Sequence, residues 1–418
     1  MSSITGFKRT KYACFYTYVA MSSIFSLPPI LFVTFHDLYG ISYTLLGTLV
    51  LTNFCTQLTV DLIFSFFTKY FNFHKTIRFM PLLTTAGLAA YACAPWVFPG
   101  HEYAGLLLGT VIFSVAAGLC EALLSPMMAA IPSETPDRDM SMFHSLYAYG
   151  VLMVVLVSTA FMKLFGTENW MYLSLFWALL PVGSFILFSI SPMPDVDVSH
   201  GPGAGEDRSR RIGMILCVLC IFLGSATENT MTNWIPGYME KALNIPKTVS
   251  DVLGLAVFAV LLGLTRTWYA KRGRNIMKVL LVSMAGAVFC YLTAGIFDNV
   301  IVCTVACTLT GIFTSMLWPG ALIMMEENMP GPGVAAYALM AAGGDFGASV
   351  APQLMGAVVD AVAASGWAAE MSGALLISTE QIGMKVGMLI SSVFPMLGVA
   401  ALIVTSRYFR KHPDFEQA

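Results

Sequence analysis

Apolar residues run along this chain in long blocks separated by short polar breaks. Twelve blocks are near or above the roughly 20 residues a helix needs to cross a bilayer: 11–36, 42–68, 76–97, 103–131, 140–165, 169–191, 212–239, 248–271, 275–297, 299–326, 332–362 and 384–408. Pro and Gly interrupt several of them, as membrane helices tolerate. One break is longer than the rest. Pro192 to Arg211 is rich in Gly, Pro and Asp and ends in Arg208-Ser-Arg-Arg211. The pattern predicts an all-α membrane protein of twelve transmembrane helices in two six-helix halves, 11–191 and 212–408. A linker (192–211) joins them, and a tail (409–418) follows.

The two halves echo each other. The stretch Gly118-Leu-Cys-Glu121 to Pro126 and on to Glu134 recurs as Gly311 to Pro319 and Glu327, with Gly150 falling on Gly343, each pair 193 residues apart. Two related halves of six spans enter the membrane from the same side, so an axis along the membrane normal relates them. Thr314 stands where Glu121 would recur. The carboxylate therefore belongs to one half alone, and a carboxylate inside a span is a functional candidate by default.

Composition narrows the class. The chain is 57% hydrophobic and only 11% charged, against roughly 25% charged in soluble domains. Its mean hydropathy is +0.74. A net charge of −2 gives no basic face for nucleic acid. Nine cysteines all fall in expected spans, so Cys217-x-x-Cys220 reads as small apolar helix residues rather than a redox or metal motif. The apolar run after Lys8, Arg9 and Lys11 is too long for a signal peptide and reads as the first span. Seventeen Lys and Arg fall on the side of both termini and the linker, four (Lys163, Lys241, Lys247, Lys385) on the other, and Arg266 stays inside a span. Both termini are thus expected in the cytoplasm, with the protein in the plasma (inner) membrane.

Polar residues inside the spans form stripes. Span 7 carries Ser225, Glu228, Asn229, Thr232, Asn233 and Pro236 at offsets that share one helix face. Span 2 carries Asn53, Gln57 and Asp61. Span 11 carries Asp345, Ser349, Gln353 and Asp360. Span 5 opens with His144 and Tyr147. Such stripes avoid lipid, because unpaired polar groups cost several kcal/mol there. They face other helices, where Ser, Thr and Asn serve as packing glue, or a water-filled cavity. Trp234 and Trp318 are either packing residues or platforms for a sugar ring. Glu121 and Glu228 are expected near mid-membrane with no Lys or Arg at their depth. Their partners would then be a proton, Na⁺ or the hydroxyls of a solute. Arg266 either snorkels to the cytoplasmic boundary or pairs with Glu327. Lys69 and Glu134 hold the similar positions in the first half, and these four residues are candidate gates.

Twelve spans, two halves and a cytoplasmic linker resemble the major facilitator superfamily over essentially the whole chain. Its loop motif between spans 2 and 3 is degraded here to Thr68-Lys69. The later copy keeps Gly263, Arg272, Gly273 and Arg274. Gly118 to Pro126, Met142 to Gly150, and Gly224 to Trp234 are similar to the fucose-permease-like and sodium-glucose-transporter-like branch, although Ser125 replaces the usual Asn before the Pro. The resemblance implies carbohydrate uptake by alternating access, coupled to H⁺ or Na⁺ through a membrane carboxylate.

The expectation is therefore a secondary transporter of a small polar solute, most simply a sugar or sugar derivative. It needs no cofactor beyond its coupling ion, performs no catalysis and binds no nucleic acid. It is expected to be a monomer in the bilayer. Asn53, Gln57, His144, Tyr147, Glu228, Asn229, Asn233, Trp234, Trp318, Asp345 and Gln353 are candidates for solute contact, and Glu121 and Asp61 for ion coupling. No nucleotide-binding loop occurs. The alternatives are an exporter of lipophilic compounds, which the missing span 5 Gly-x-x-x-Gly-Pro disfavours, and a non-transporting membrane receptor.

Overall fold

The computed structural model describes residues 6–67, 71–133, 136–195, 208–329 and 333–412. Among these, twelve helices are long and apolar enough to cross a membrane. They are spans 1 to 12 in order: Lys8–Tyr39, Tyr43–Ile63, Phe73–Val97, Glu102–Met128, Leu146–Phe165, Thr167–Ile190, Ser209–Lys241, Lys247–Tyr269, Ile276–Ile296, Val300–Asn328, Leu339–Ala363 and Thr379–Lys411. No strand occurs among the described residues. The protein is a multi-pass helical membrane protein, as the hydropathy pattern predicts.

Helix ends are satisfied locally, which matters where water is scarce. Asn72, Asn275 and Asn299 accept hydrogen bonds from the first-turn N–H groups of Lys75, Lys278 and Val302, starting spans 3, 9 and 10. Ser378 and Gln381 form a reciprocal capping box at span 12. Gly40 ends span 1 in the left-handed conformation that a side chain rarely adopts. Two spans are not continuous α-helix. Span 8 passes through a π-helical turn at Asp251–Ala256. Span 10 breaks between Thr314 and Leu317.

The chain divides into two compact units: Met1–Ile41 with Thr52–Ser199, and Ser42–Leu51 with His200–Ala418. The first has an aromatic core. Trp170, Phe35 and Tyr91 are buried, with ring centroids 4.7 Å apart for Phe35–Trp170 and 6.0 Å for Tyr91–Trp170. The second has a methionine-rich core in which Met284, Met316, Met324, Met325 and Met340 fill the gaps between spans 7, 9, 10, 11 and 12. Flexible thioethers suit such irregular spaces.

The sequence echo has a structural cause. A Cβ on Gly118 would lie 3.0 Å from the Gln57 carbonyl oxygen of span 2, and one on Gly311 would lie 2.5 Å from the Phe258 carbonyl oxygen of span 8. Likewise a Cβ on Gly150 would meet Ser22 Oγ of span 1 at 2.4 Å, and one on Gly343 would meet Val218 Cγ1 of span 7 at 2.6 Å. Each repeated glycine thus serves the equivalent crossing in its own unit, span 4 on 2 and 10 on 8, then 5 on 1 and 11 on 7.

Candidate functional site

In the first unit the polar stripe of span 2 meets span 4. Asn53 Oδ1 accepts hydrogen bonds from Gln57 Nε2 at 3.0 Å and from Ser114 Oγ at 2.6 Å. All three residues are buried. The amide oxygen of Gln57 has no hydrogen-bond partner among the described residues. One turn on, the carboxylates of Asp61 and Glu121 come within 4.8 Å of each other. Asp61 is half-buried, with one oxygen buried and unbonded. Glu121 is exposed. A carboxylate inside a span is costly toward lipid, which marks Glu121 as a functional candidate. Among the described residues no Lys or Arg pairs with either acid. Two bare negative charges this close repel strongly where water is scarce. The arrangement is suited to holding one cation, a proton or a small metal ion. Ser114 did not stand out in the sequence, but it precedes Glu121 by seven residues and so shares its helix face.

In the second unit Glu228 has a partner that the sequence reading did not supply. Arg266 Nη2 lies 3.4 Å from Glu228 Oε1, and Arg266 Nε donates to the Ser315 carbonyl at 2.8 Å. The expected pairing of Arg266 with Glu327 is not formed. Ser315 sits at the break in span 10, where a carbonyl loses its helical partner, and the guanidinium takes that vacancy. Glu228 therefore carries a local ion pair, contrary to the expectation that no cation reaches its depth. The pair is open to solvent on the arginine side, with side-chain exposures of 39% for Arg266 and 18% for Glu228. The second oxygen of Glu228 is buried and unbonded among the described residues.

The rest of the span 7 stripe is partly spent on its own helix. Asn229 donates to the Ser225 carbonyl at 3.1 Å, Thr232 to the Glu228 carbonyl at 2.9 Å, and Asn233 to the Asn229 carbonyl at 2.8 Å. Trp234 is a packing residue and not an open platform. It is buried, donates Nε1 to the Pro352 carbonyl at 3.0 Å, and sits 5.7 Å from the Tyr43 ring. Trp318 is half-buried against Gly344, where an added Cβ would be 2.2 Å from the indole. Gln353 accepts from Thr48 Oγ1 at 3.0 Å. Asp345 is buried. Tyr147 belongs to an aromatic group with Tyr18 and Phe25 at 6.0 and 5.9 Å. Lys69, Glu134 and the His144 side chain lie outside the described residues.

Asp360, the last member of the span 11 stripe, has a structural job. Its two carboxylate oxygens accept the backbone N–H groups of Tyr43, at 3.1 Å, and Thr44, at 2.6 Å. These open span 2 within the second unit, and the Tyr43 hydroxyl donates to Glu380. The sequence carried no signal for this cap, because its acceptor lies 316 residues from Thr44.

Comparison with known proteins bears on the fold. The family model described as Major Facilitator Superfamily matches residues 13–352. A search of curated proteins by sequence finds no match. Among solved structures, a bacterial homolog of the human lysosomal transporter Spinster superposes with a TM-score of 0.74 at 12% identity, covering 96% of this chain and 98% of that one. A D-xylose-proton symporter gives 0.70 at 13%, covering 93% and 96%. The fucose:proton symporter of E. coli gives 0.60 at 15%, covering 97% and 99%.

Proposed function

Because this chain belongs to the major facilitator superfamily, a family of transporters, we propose that it is a secondary active transporter of a small polar solute, a sugar or sugar derivative, coupled to H⁺ or Na⁺. The observation that carries the reading is the Asp61–Glu121 carboxylate pair. It has an open side, no Lys or Arg paired with it among the described residues, and a hydrogen-bonded amide network one turn away. Asp61 and Glu121 hold the coupling ion. Asn53, Gln57, His144 and Tyr147 of the first half are assigned to solute contact, and so are Glu228, Asn229, Asn233, Trp318, Asp345 and Gln353 of the second. Polar groups of both donor and acceptor kind suit a polyhydroxy ligand, and the fold is shared with xylose- and fucose-proton symporters. Trp234 is left out of the set, being buried in packing. The halves 11–191 and 212–408 work by alternating access, the termini lie in the cytoplasm, and the working unit is a monomer in the plasma membrane.

Reconstitution tests the assignment. Proteoliposomes are screened with radiolabelled D-xylose, L-fucose and related sugars under imposed pH and Na⁺ gradients. Glu121→Gln imitates the protonated acid at nearly the same volume. It should retain counterflow exchange and lose accumulation against a gradient. A Glu121→Gln protein that still concentrates the solute, with unchanged ion dependence, would make Glu121 structural and remove the basis of the coupling assignment.

A further inference from the structure

Glu327 leads to a second site. A cavity of about 450 Å³ opens where three helix ends converge: the first turn of span 9, the last turn of span 10 and the end of span 12. Lys278, Arg410 and His412 line it together with Glu327, and Leu281 and Phe409 form part of its wall. Among the described residues neither Lys278 nor Arg410 makes an ion pair or a side-chain hydrogen bond, although Glu327 lines the same space. His412 is fixed in place, with Nδ1 3.0 Å from the Tyr408 carbonyl and its ring stacked on Tyr408 at 4.4 Å.

We propose that this cavity binds a phosphate ester, the headgroup of an anionic phospholipid. Two cations against one carboxylate leave it positive whatever the charge of His412. The first turn of span 9 adds the partial positive charge of a helix start. The volume falls within the roughly 300–1,000 Å³ of ordinary ligand sites. Its place matters as much as its charge. It lies where the arginine- and lysine-rich ends of spans 9 and 12 meet the end of span 10, which carries Glu326 and Glu327, at the proposed cytoplasmic boundary, where basic pockets between helices meet anionic headgroups. Leu281 and Met277, half-buried apolar residues of its wall, decide between a lipid and a free phosphate. A soluble phosphate would leave them bare, whereas the glycerol and upper acyl chain of a phospholipid would cover them. The site is separate from the proposed transport pathway and does not depend on it.

The test uses the full-length protein in mixed micelles. Phosphatidylglycerol, phosphatidylcholine and soluble glycerol phosphate are titrated separately, with binding read by native mass spectrometry and by thermal midpoint. Phosphatidylglycerol is expected to bind and stabilise the wild type, and phosphatidylcholine to do so weakly. Each basic residue near an anionic headgroup contributes about a factor of five. Lys278→Ala with Arg410→Ala should then weaken apparent affinity by about 25-fold, while Lys278→Arg with Arg410→Lys, which keeps both charges, retains most of it. Arg407→Ala with Lys411→Ala is the control, removing equal charge from the end of span 12 outside the cavity lining, and should have little effect. Glycerol phosphate binding as tightly as the lipid, with the same variant dependence, would keep the phosphate site and overturn the lipid as its source. Equal loss in the control and the double variant, or no preference for the anionic lipid in the wild type, would overturn the proposal.

Discussion

Arg266 makes two contacts and Glu228 only one, and that asymmetry can be measured. Removing the guanidinium in Arg266→Ala deletes the 2.8 Å bond to the Ser315 carbonyl and the 3.4 Å contact to Glu228. A hydrogen bond from a charged donor is worth about 1.5–3 kcal/mol. An ion pair this long and this open to solvent adds about 0.5–1 kcal/mol. Arg266→Ala should therefore cost about 2–4 kcal/mol. Glu228→Gln loses only the second contact and should cost about 0.5–1 kcal/mol. The double variant should be less damaging than the two singles added, by about 0.5–1 kcal/mol, because Arg266→Ala no longer strands a carboxylate. At roughly 2–4 °C per kcal/mol, thermal midpoints in detergent at one scan rate will separate the two single variants. Arg266→Lys keeps the charge without the fork that reaches both acceptors, and should fall between wild type and Ala. If Glu228→Gln costs as much as Arg266→Ala, or if the two effects simply add, the guanidinium is not bridging Glu228 to the break in span 10.

Three further outcomes follow from the geometry. Asp360→Ala removes both acceptors at the start of span 2 and should cost about 1–2 kcal/mol, with Asp360→Asn intermediate because its amide keeps one acceptor oxygen. Equal thermal losses for Asn and Ala would show that only the charge matters. Gly347→Ala would place a Cβ 2.2 Å from the Phe222 carbonyl oxygen and should sharply lower folded yield, whereas Gly373→Ala meets nothing within 4 Å and should be neutral or stabilising by about 0.5–1 kcal/mol. Similar size-exclusion profiles for the two would refute the close crossing of spans 7 and 11. On a cysteine-free background, Lys75→Cys and Lys271→Cys should react only from the proposed cytoplasmic side and Lys247→Cys only from outside; labelling of all three from one side would sink the topology.

Hydropathy made the twelve spans legible because membrane helices advertise themselves by length and apolarity, whatever their neighbours. The repeated glycines were legible as an echo, and the crossings at Gly118 and Gly311 supply its reason. The stripe on span 2 was legible too, since Asn53, Gln57 and Asp61 do share a face that meets Ser114 and Glu121. The partner of Glu228 was not. Position along a helix leaves out the reach of an arginine side chain and the carbonyl exposed by a break in a neighbouring span. Trp234 was ambiguous for a related reason. An indole on a polar face can stack on a ligand or bond a backbone carbonyl, and only the position of Pro352 decides it. The cap supplied by Asp360 depends on a pairing across most of the chain, which no local pattern encodes.

The π-helical turn in span 8 has a consequence for how that span tolerates changes of length. Residues Asp251–Ala256 hold one residue more than an α-helix needs over the same path. Elsewhere in a membrane helix, deleting a single residue turns everything beyond it by about 100°. A deletion between Val257 and Thr265 would swing Arg266 away from both Ser315 and Glu228. Within 251–256 the surplus residue can leave, and the turn then tightens to ordinary α-helix with both flanks still facing as before. Span 8 thus contains a slack link, the segment where a chain of this kind can gain or lose a residue while Arg266 keeps its aim.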